Sequence, residues 1–82
     1  MTPEETHILL RDLLREVVGD PTVDPQPDDF EANIPGFDSG AKIQLILAIE
    51  ERIGVRLRSR EVDALRRFGD WLVLLQNRTA GT

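Results

Sequence analysis

The chain is predicted to be all-α: a small four-helix bundle of three longer helices and one short one, with a long first crossover loop. Three observations carry this. Leu10, Leu13, Leu14 and Val17 recur at the three-and-four spacing of one buried helical stripe. The segment from Ser39 to Ile53 is apolar around much of its helical circumference. Between them Pro21, Pro25, Pro27 and Pro35 prevent any regular helix from propagating. At 82 residues the chain is one domain, residues 1–82, which buries only roughly 60% of its unfolded surface. An elaborate active-site cleft is not expected at that size, whereas carriers, adaptors and recognition modules fit it.

The first helix opens at Thr2, with Pro3 at the first helical position and Glu5 three residues after the cap, a capping box. Ile8, Leu9 and Val18 widen its apolar stripe, and Gly19-Asp20-Pro21 ends it. The stretch from Gly19 to Asp38 is read as one ordered crossover anchored by Val23, Phe30, Ile34 and Phe37, not as an interdomain linker. The second helix, about Ser39 to Ile53, is expected to be central, with Gly54 closing it. Val55 and Leu57 then alternate with Arg56 and Arg58, an extended connector with one face inward. Ser59 is expected to cap a short third helix reaching about Leu65, and Asp70 a last one carrying Trp71, Leu72, Val73, Leu74 and Leu75. Phe68 and Trp71 belong in or beside the core.

Composition removes several function classes. There is no cysteine, hence neither a disulfide framework nor a thiolate metal site. The start of the chain has no basic n-region, and its apolar run from Ile8 breaks at Arg11-Asp12. A signal peptide and a membrane span are therefore not expected, and the chain reads as soluble and cytoplasmic. Residues 1 to 41 carry ten acids against Arg11 and Arg15, a net of -8, while the remainder carries eight bases against five acids, a net of +3. The arginines between Arg52 and Arg67 read as a solvated face or a protein-docking patch. The chain is acidic overall and without tyrosine, so no nucleic-acid partner is expected. His7, the sole histidine, is expected to be exposed on the first helix and has no companion for a metal. The neighbouring acids Glu4-Glu5, Asp28-Asp29 and Glu50-Glu51 would diverge by about 100° on a helix, as surface charge or partner contacts.

Asp38-Ser39, behind the turn Ile34-Pro35-Gly36-Phe37, sets a hydroxyl at a helix N-terminus. The unpaired N–H groups and positive dipole end there favour an anion, so a phosphate esterified to Ser39 Oγ would be stabilised. Ser39 reads as an attachment point; its plain alternative is a helix cap. It does not read as a nucleophile, because only His7 is available as a base and nothing places it nearby. Asp38 is either a plain cap or a helper at the site.

The layout resembles the acyl and peptidyl (thiolation) carrier proteins. The likeness runs from about Asp28 to Gln76. It includes Gly36-Phe37-Asp38-Ser39, the helix from Ile43 to Ile53 with Glu50-Glu51, the Val55/Leu57 connector, and Phe68-Gly69-Asp70 before the last helix. The resemblance implies that Ser39 receives 4'-phosphopantetheine from coenzyme A through a phosphopantetheinyl transferase, with Asp38 and Gly40 bordering the site. It implies no catalysis by the chain itself. The implied protein is a discrete monomeric carrier of thioester-linked acyl or aminoacyl groups, served by a loading ligase and by downstream transferases and synthases.

Two departures from that family fall on the partner-facing surface, to which Phe37, Lys42, Gln44, Leu47, Glu51, Arg56 and Arg58 are assigned. Gly40 stands where the family usually has Leu, lowering helix propensity by on the order of 1 kcal/mol relative to Ala. Where fatty-acid carriers show a run of acids, the positions taken as exposed read Ala41, Gln44 and Leu47, and the connector carries Arg56, Arg58 and Arg60. Basic enzyme faces are disfavoured by such charges, which points to a specialised pathway in place of housekeeping fatty-acid synthesis. The rival reading is an unmodified carrier-like interaction module, for which Gly40 is the best support. The Ile and Leu between the second and last helices suit equally a filled bundle core and an interior that opens to shelter a carried chain.

Overall fold

The computed structural model describes residues 2–80. Its helices are α1 (Pro3–Val18), α2 (Ser39–Ile53), α3 (Ser59–Asp63) and α4 (Phe68–Ala80), with one 3-10 turn at Glu31–Asn33 in the crossover. α1 packs against both α2 and α4.

α1 starts as its sequence dictates. Thr2 Oγ1 accepts the Glu5 N–H at 3.1 Å and Glu5 Oε1 accepts the Thr2 N–H at 2.8 Å. Gly19, at φ 72°, takes the left-handed conformation that ends the helix. Leu10, Leu13 and Leu14 are buried. Ile8 does not join them and is 44% exposed, because two helical steps from Leu10 turn a side chain about 200° away. His7, in contrast to its expected exposure, is half-buried, its ring edge-on to Phe68 with centroids 5.3 Å apart.

α2 buries Ala41, Leu45 and Ile49, one every four residues. Central as it is, α2 leaves Ile43 59% exposed, and Leu47, taken from the sequence as exposed, is 58% exposed. So small a bundle covers one side of α2 and leaves the other to solvent. Ala41, read from the sequence as exposed, lies on the covered side for the same reason.

α3 and α4 begin differently from the sequence reading. At α3 the cap position is Arg58, whose N–H donates to Glu61 Oε1 at 3.1 Å. The helix stops at Asp63 because the Leu65 N–H closes a tighter turn on the Val62 carbonyl at 3.1 Å, which buries both side chains. At α4, Asp70 is not the cap but sits in the first turn, where Oδ2 accepts the N–H groups of Arg66 and Arg67, each at 3.0 Å. Glu5, Glu61 and Asp70 thus play one role, an acid inside the first turn reaching back to orphan donors.

The crossover is ordered by its own packing and by the start of α4. Val23, Pro25 and Ile34 are buried. Glu31 N–H donates to the Arg66 carbonyl at 2.9 Å, Phe68 N–H to Asp29 at 2.8 Å and Gly69 N–H to Pro27 at 2.9 Å. The last approach requires glycine, since a Cβ at position 69 would lie 2.8 Å from the Pro27 oxygen. Phe30, expected as an apolar anchor, is 45% exposed and instead stacks under the Arg67 guanidinium, 4.5 Å from the ring centroid. Trp71, Phe68 and Leu75 fill the centre, and the buried Thr6 hydroxyl lies 2.7 Å from Gln76 Oε1, tying α1 to α4.

Candidate functional site

The turn Ile34-Pro35-Gly36-Phe37 delivers the chain to Asp38, whose extended backbone (φ -107°, ψ -171°) precedes α2. Asp38 Oδ1 accepts the Ala41 N–H at 2.8 Å. Asp38 is therefore the cap, which leaves the hydroxyl of Ser39, the first helical residue, exposed and free of that duty. Nothing but Asp38 Oδ1, at 3.5 Å, would lie within 4 Å of a Cβ at Gly40, so the space beside Ser39 is open.

α2 also differs electrostatically from its neighbours. α1 holds Glu4 and Glu5 in its first turn, α3 holds Glu61 and α4 holds Asp70, whereas α2 has no acid there. Backbone N–H donation keeps those reaching acids ionised: from Thr2 it lowers the Glu5 pKa, from Arg58 that of Glu61, and from Arg67 and Arg66 that of Asp70. At α2 the countercharge is the Asp38 cap alone, and an added anion at Ser39 would share the positive helix end with it.

Two depressions flank Ser39. One, of about 320 Å³, runs between α2 and α3 and is lined by Ile43, Ile46, Leu57, Ser59, Val62 and Asp63. The other, of about 370 Å³, is bordered by Glu31, Ala32, Phe37 and Asp38. Lys42 stands between them and lines both. The open apolar space at the site thus adjoins α3, not α4, whose side of the interior is filled by Trp71 and Leu75.

The floor of the site is a clasp that sequence reading missed. Glu31 takes Lys42 Nζ on one oxygen at 3.0 Å and Trp71 Nε1 on the other at 2.6 Å. Lys42 Nζ also lies 6.0 Å from the Trp71 ring, and Phe37 meets that indole edge-on at 6.2 Å. Lys42 and Phe37, assigned from sequence to the partner face, are half-buried parts of this clasp. Gln44, Leu47 and Glu51 are exposed on the outer face of α2, and Arg56 and Arg58 are exposed on the connector. Nothing in the sequence singled out Glu31, one acid among many in the crossover and forty positions from its indole partner.

A curated acyl carrier protein from Acidothermus cellulolyticus is 33% identical over 79 residues, covering 96% of this chain and 94% of the relative. The chain belongs to the acyl carrier protein family. Its work is that of a carrier and not of an enzyme. The solution structure of a holo acyl carrier protein from Geobacter metallireducens superposes with a TM-score of 0.85 over 92% of this carrier and 86% of that chain, at 23% identity, so the fold is shared. No family profile matches the carrier. Among the described residues no helix is long and apolar enough to cross a membrane.

Proposed function

We propose that this carrier is active as a discrete acyl or aminoacyl carrier with 4'-phosphopantetheine esterified to Ser39. The observation that supports this most is the exposed Ser39 hydroxyl on the first turn of α2, relieved of capping by Asp38 and facing no first-turn acid. The residues present suit the group. The helix start favours the phosphodiester charge, Gly40 leaves lateral space, and the depression lined by Ile43, Ile46, Leu57 and Val62 offers apolar surface beside the ester. When bound, the arm supplies the thiol that a cysteine-free chain does not have. The protein's part is to hold the ester oxygen at the edge of a rigid bundle and to present it to a phosphopantetheinyl transferase, a loading ligase and downstream synthases in turn.

The pathway is read as a specialised one. Arg56 and Arg58 are exposed on the connector, and the outer face of α2 shows Gly40, Gln44 and Leu47, with Glu51 the acid at its far end. A basic enzyme face gains little from that surface.

Intact-mass measurement tests the proposal. The protein is incubated with coenzyme A, magnesium and a broad-specificity pantetheinyl transferase beside Ser39→Ala. A phosphopantetheine increment on the wild type alone supports the carrier, and none across several transferases favours the unmodified interaction module.

A further inference from the structure

Lys42 is the only lysine in the chain, and it is the only base that lines either depression beside Ser39. The same linings hold three acids, Glu31, Asp38 and Asp63. Ser39 and Lys42 are three positions apart on α2, so their side chains are neighbours on one helix face, and both residues border both depressions. A phosphodiester on Ser39 Oγ adds a negative charge next to the Asp38 carboxylate. Lys42 is the one cation that those walls offer it.

The ammonium is held in place before any anion arrives. Glu31 takes Lys42 Nζ on one oxygen at 3.0 Å and Trp71 Nε1 on the other at 2.6 Å, so the acid is gripped from two sides. The Glu31 N–H donates to the Arg66 carbonyl at 2.9 Å, which fixes the backbone of the acid as well. The Lys42 side chain is 23% exposed and that of Glu31 18%. The pair is therefore screened less than a surface pair, yet stays open to the depressions. An ammonium has three N–H donors, and Glu31 is the one hydrogen-bond acceptor that Nζ meets among the described residues. Ordering a flexible lysine beforehand lowers the cost of a new contact.

We propose that Lys42 is the phosphate-binding residue of the carrier: Nζ donates to a non-bridging oxygen of the phosphodiester on Ser39, while Glu31, held by Trp71, keeps the ammonium in position. This rests on the reading of Ser39 as the attachment residue. Lysine serves a phosphate as a point charge, which suits a group that must also stay on Glu31. A second anion on Nζ weakens its hold on Glu31, and because Glu31 also accepts the indole N–H, attachment of the arm is felt at Trp71 in α4.

The test compares the apo and phosphopantetheinylated proteins, with intact mass confirming attachment before each measurement. Nitrogen NMR follows the single lysine ammonium, phosphorus NMR the phosphodiester, and fluorescence the single tryptophan. Attachment is expected to shift the ammonium signal and to change Trp71 emission. The phosphorus signal of the folded wild type is expected to stand apart from its position in urea. Lys42→Gln, folded by circular dichroism, should move that signal most of the way to the urea position and abolish the response of Trp71 to attachment, whereas Lys42→Arg, which keeps the charge, should retain both. The wild-type ammonium shift decides the matter even if Lys42→Gln refuses the arm. A wild type that gains no mass overturns the attachment reading and this proposal with it. A wild type that gains the mass while its ammonium signal stays put, or a modified Lys42→Gln with the wild-type phosphorus signal, overturns the Lys42 contact alone.

Discussion

Trp71 and Glu31 are joined across the bundle: the indole Nε1 donates to Glu31 Oε2 at 2.6 Å, while the other carboxylate oxygen holds Lys42 Nζ at 3.0 Å. This contact fixes the crossover against α4 and the first turns of α2, directly under Ser39. Trp71 is the only tryptophan, so its fluorescence reports on the clasp. Glu31→Ala is expected to leave the indole N–H without its acceptor and to destabilise the protein by about 1–3 kcal/mol. A lower urea midpoint together with a red-shifted Trp71 emission is the expected pair of readouts. An unchanged spectrum and midpoint would mean that the clasp contributes nothing.

Asp38 and Ser39 are predicted to separate in their effects. Asp38 caps α2 through the Ala41 N–H at 2.8 Å, so Asp38→Ala should cost about 1 kcal/mol. Ser39→Ala in the unmodified protein should fall within about 0.5 kcal/mol of wild type. Urea unfolding of both variants checks this, and a large loss for Ser39→Ala would give Ser39 a structural role that the geometry does not.

Two glycines should respond with opposite signs. At Gly40 a Cβ meets only Asp38 Oδ1 at 3.5 Å, and Gly40→Ala should raise helix propensity and stability by about 0.5–1 kcal/mol. At Gly69 the added Cβ would be 2.8 Å from the Pro27 carbonyl oxygen. Gly69→Ala must therefore push the crossover off α4, with an expected loss of about 1–3 kcal/mol. Thermal melts of the pair provide the comparison.

Acid should weaken the fold through the first-turn carboxylates. Glu5, Glu61 and Asp70 have pKa values lowered chiefly by backbone N–H donation, and Asp20 by the Thr22 hydroxyl. Groups depressed in the folded state contribute fully above their ordinary values, 4.5 for Glu61 and 3.8 for Asp70. That contribution drains as pH falls through the lowered ones. Urea midpoints should be flat from neutrality to about pH 5 and fall below it. Asp70→Asn should flatten the fall; an unaltered slope would count against its capping role.

Much of this fold is readable from local signals. The Thr2/Glu5 capping box, the Leu10-Leu13-Leu14 stripe and Asp38 beside an apolar helix each depend on residues within a few positions of one another. The misreadings share a cause in tertiary geometry. Nothing local says which side of the largely apolar α2 meets α1, so Ala41 reads as exposed although it is buried, and Ile43 is not singled out as a surface residue. Asp70 and Ser59 look like caps, but the acids at 61 and 70 act from inside the first turn and move the helix starts. Glu31 had no signal, since its partners Lys42 and Trp71 are brought together only by folding.

The central claim, that Ser39 bears the arm, is tested most directly by thiol titration, because the chain has no cysteine of its own. After treatment with coenzyme A, magnesium and a pantetheinyl transferase and removal of free coenzyme A, the denatured wild type should show one reactive thiol per chain and Ser39→Ala none. A wild type that stays thiol-free, or a Ser39→Ala chain that gains the same thiol, contradicts it.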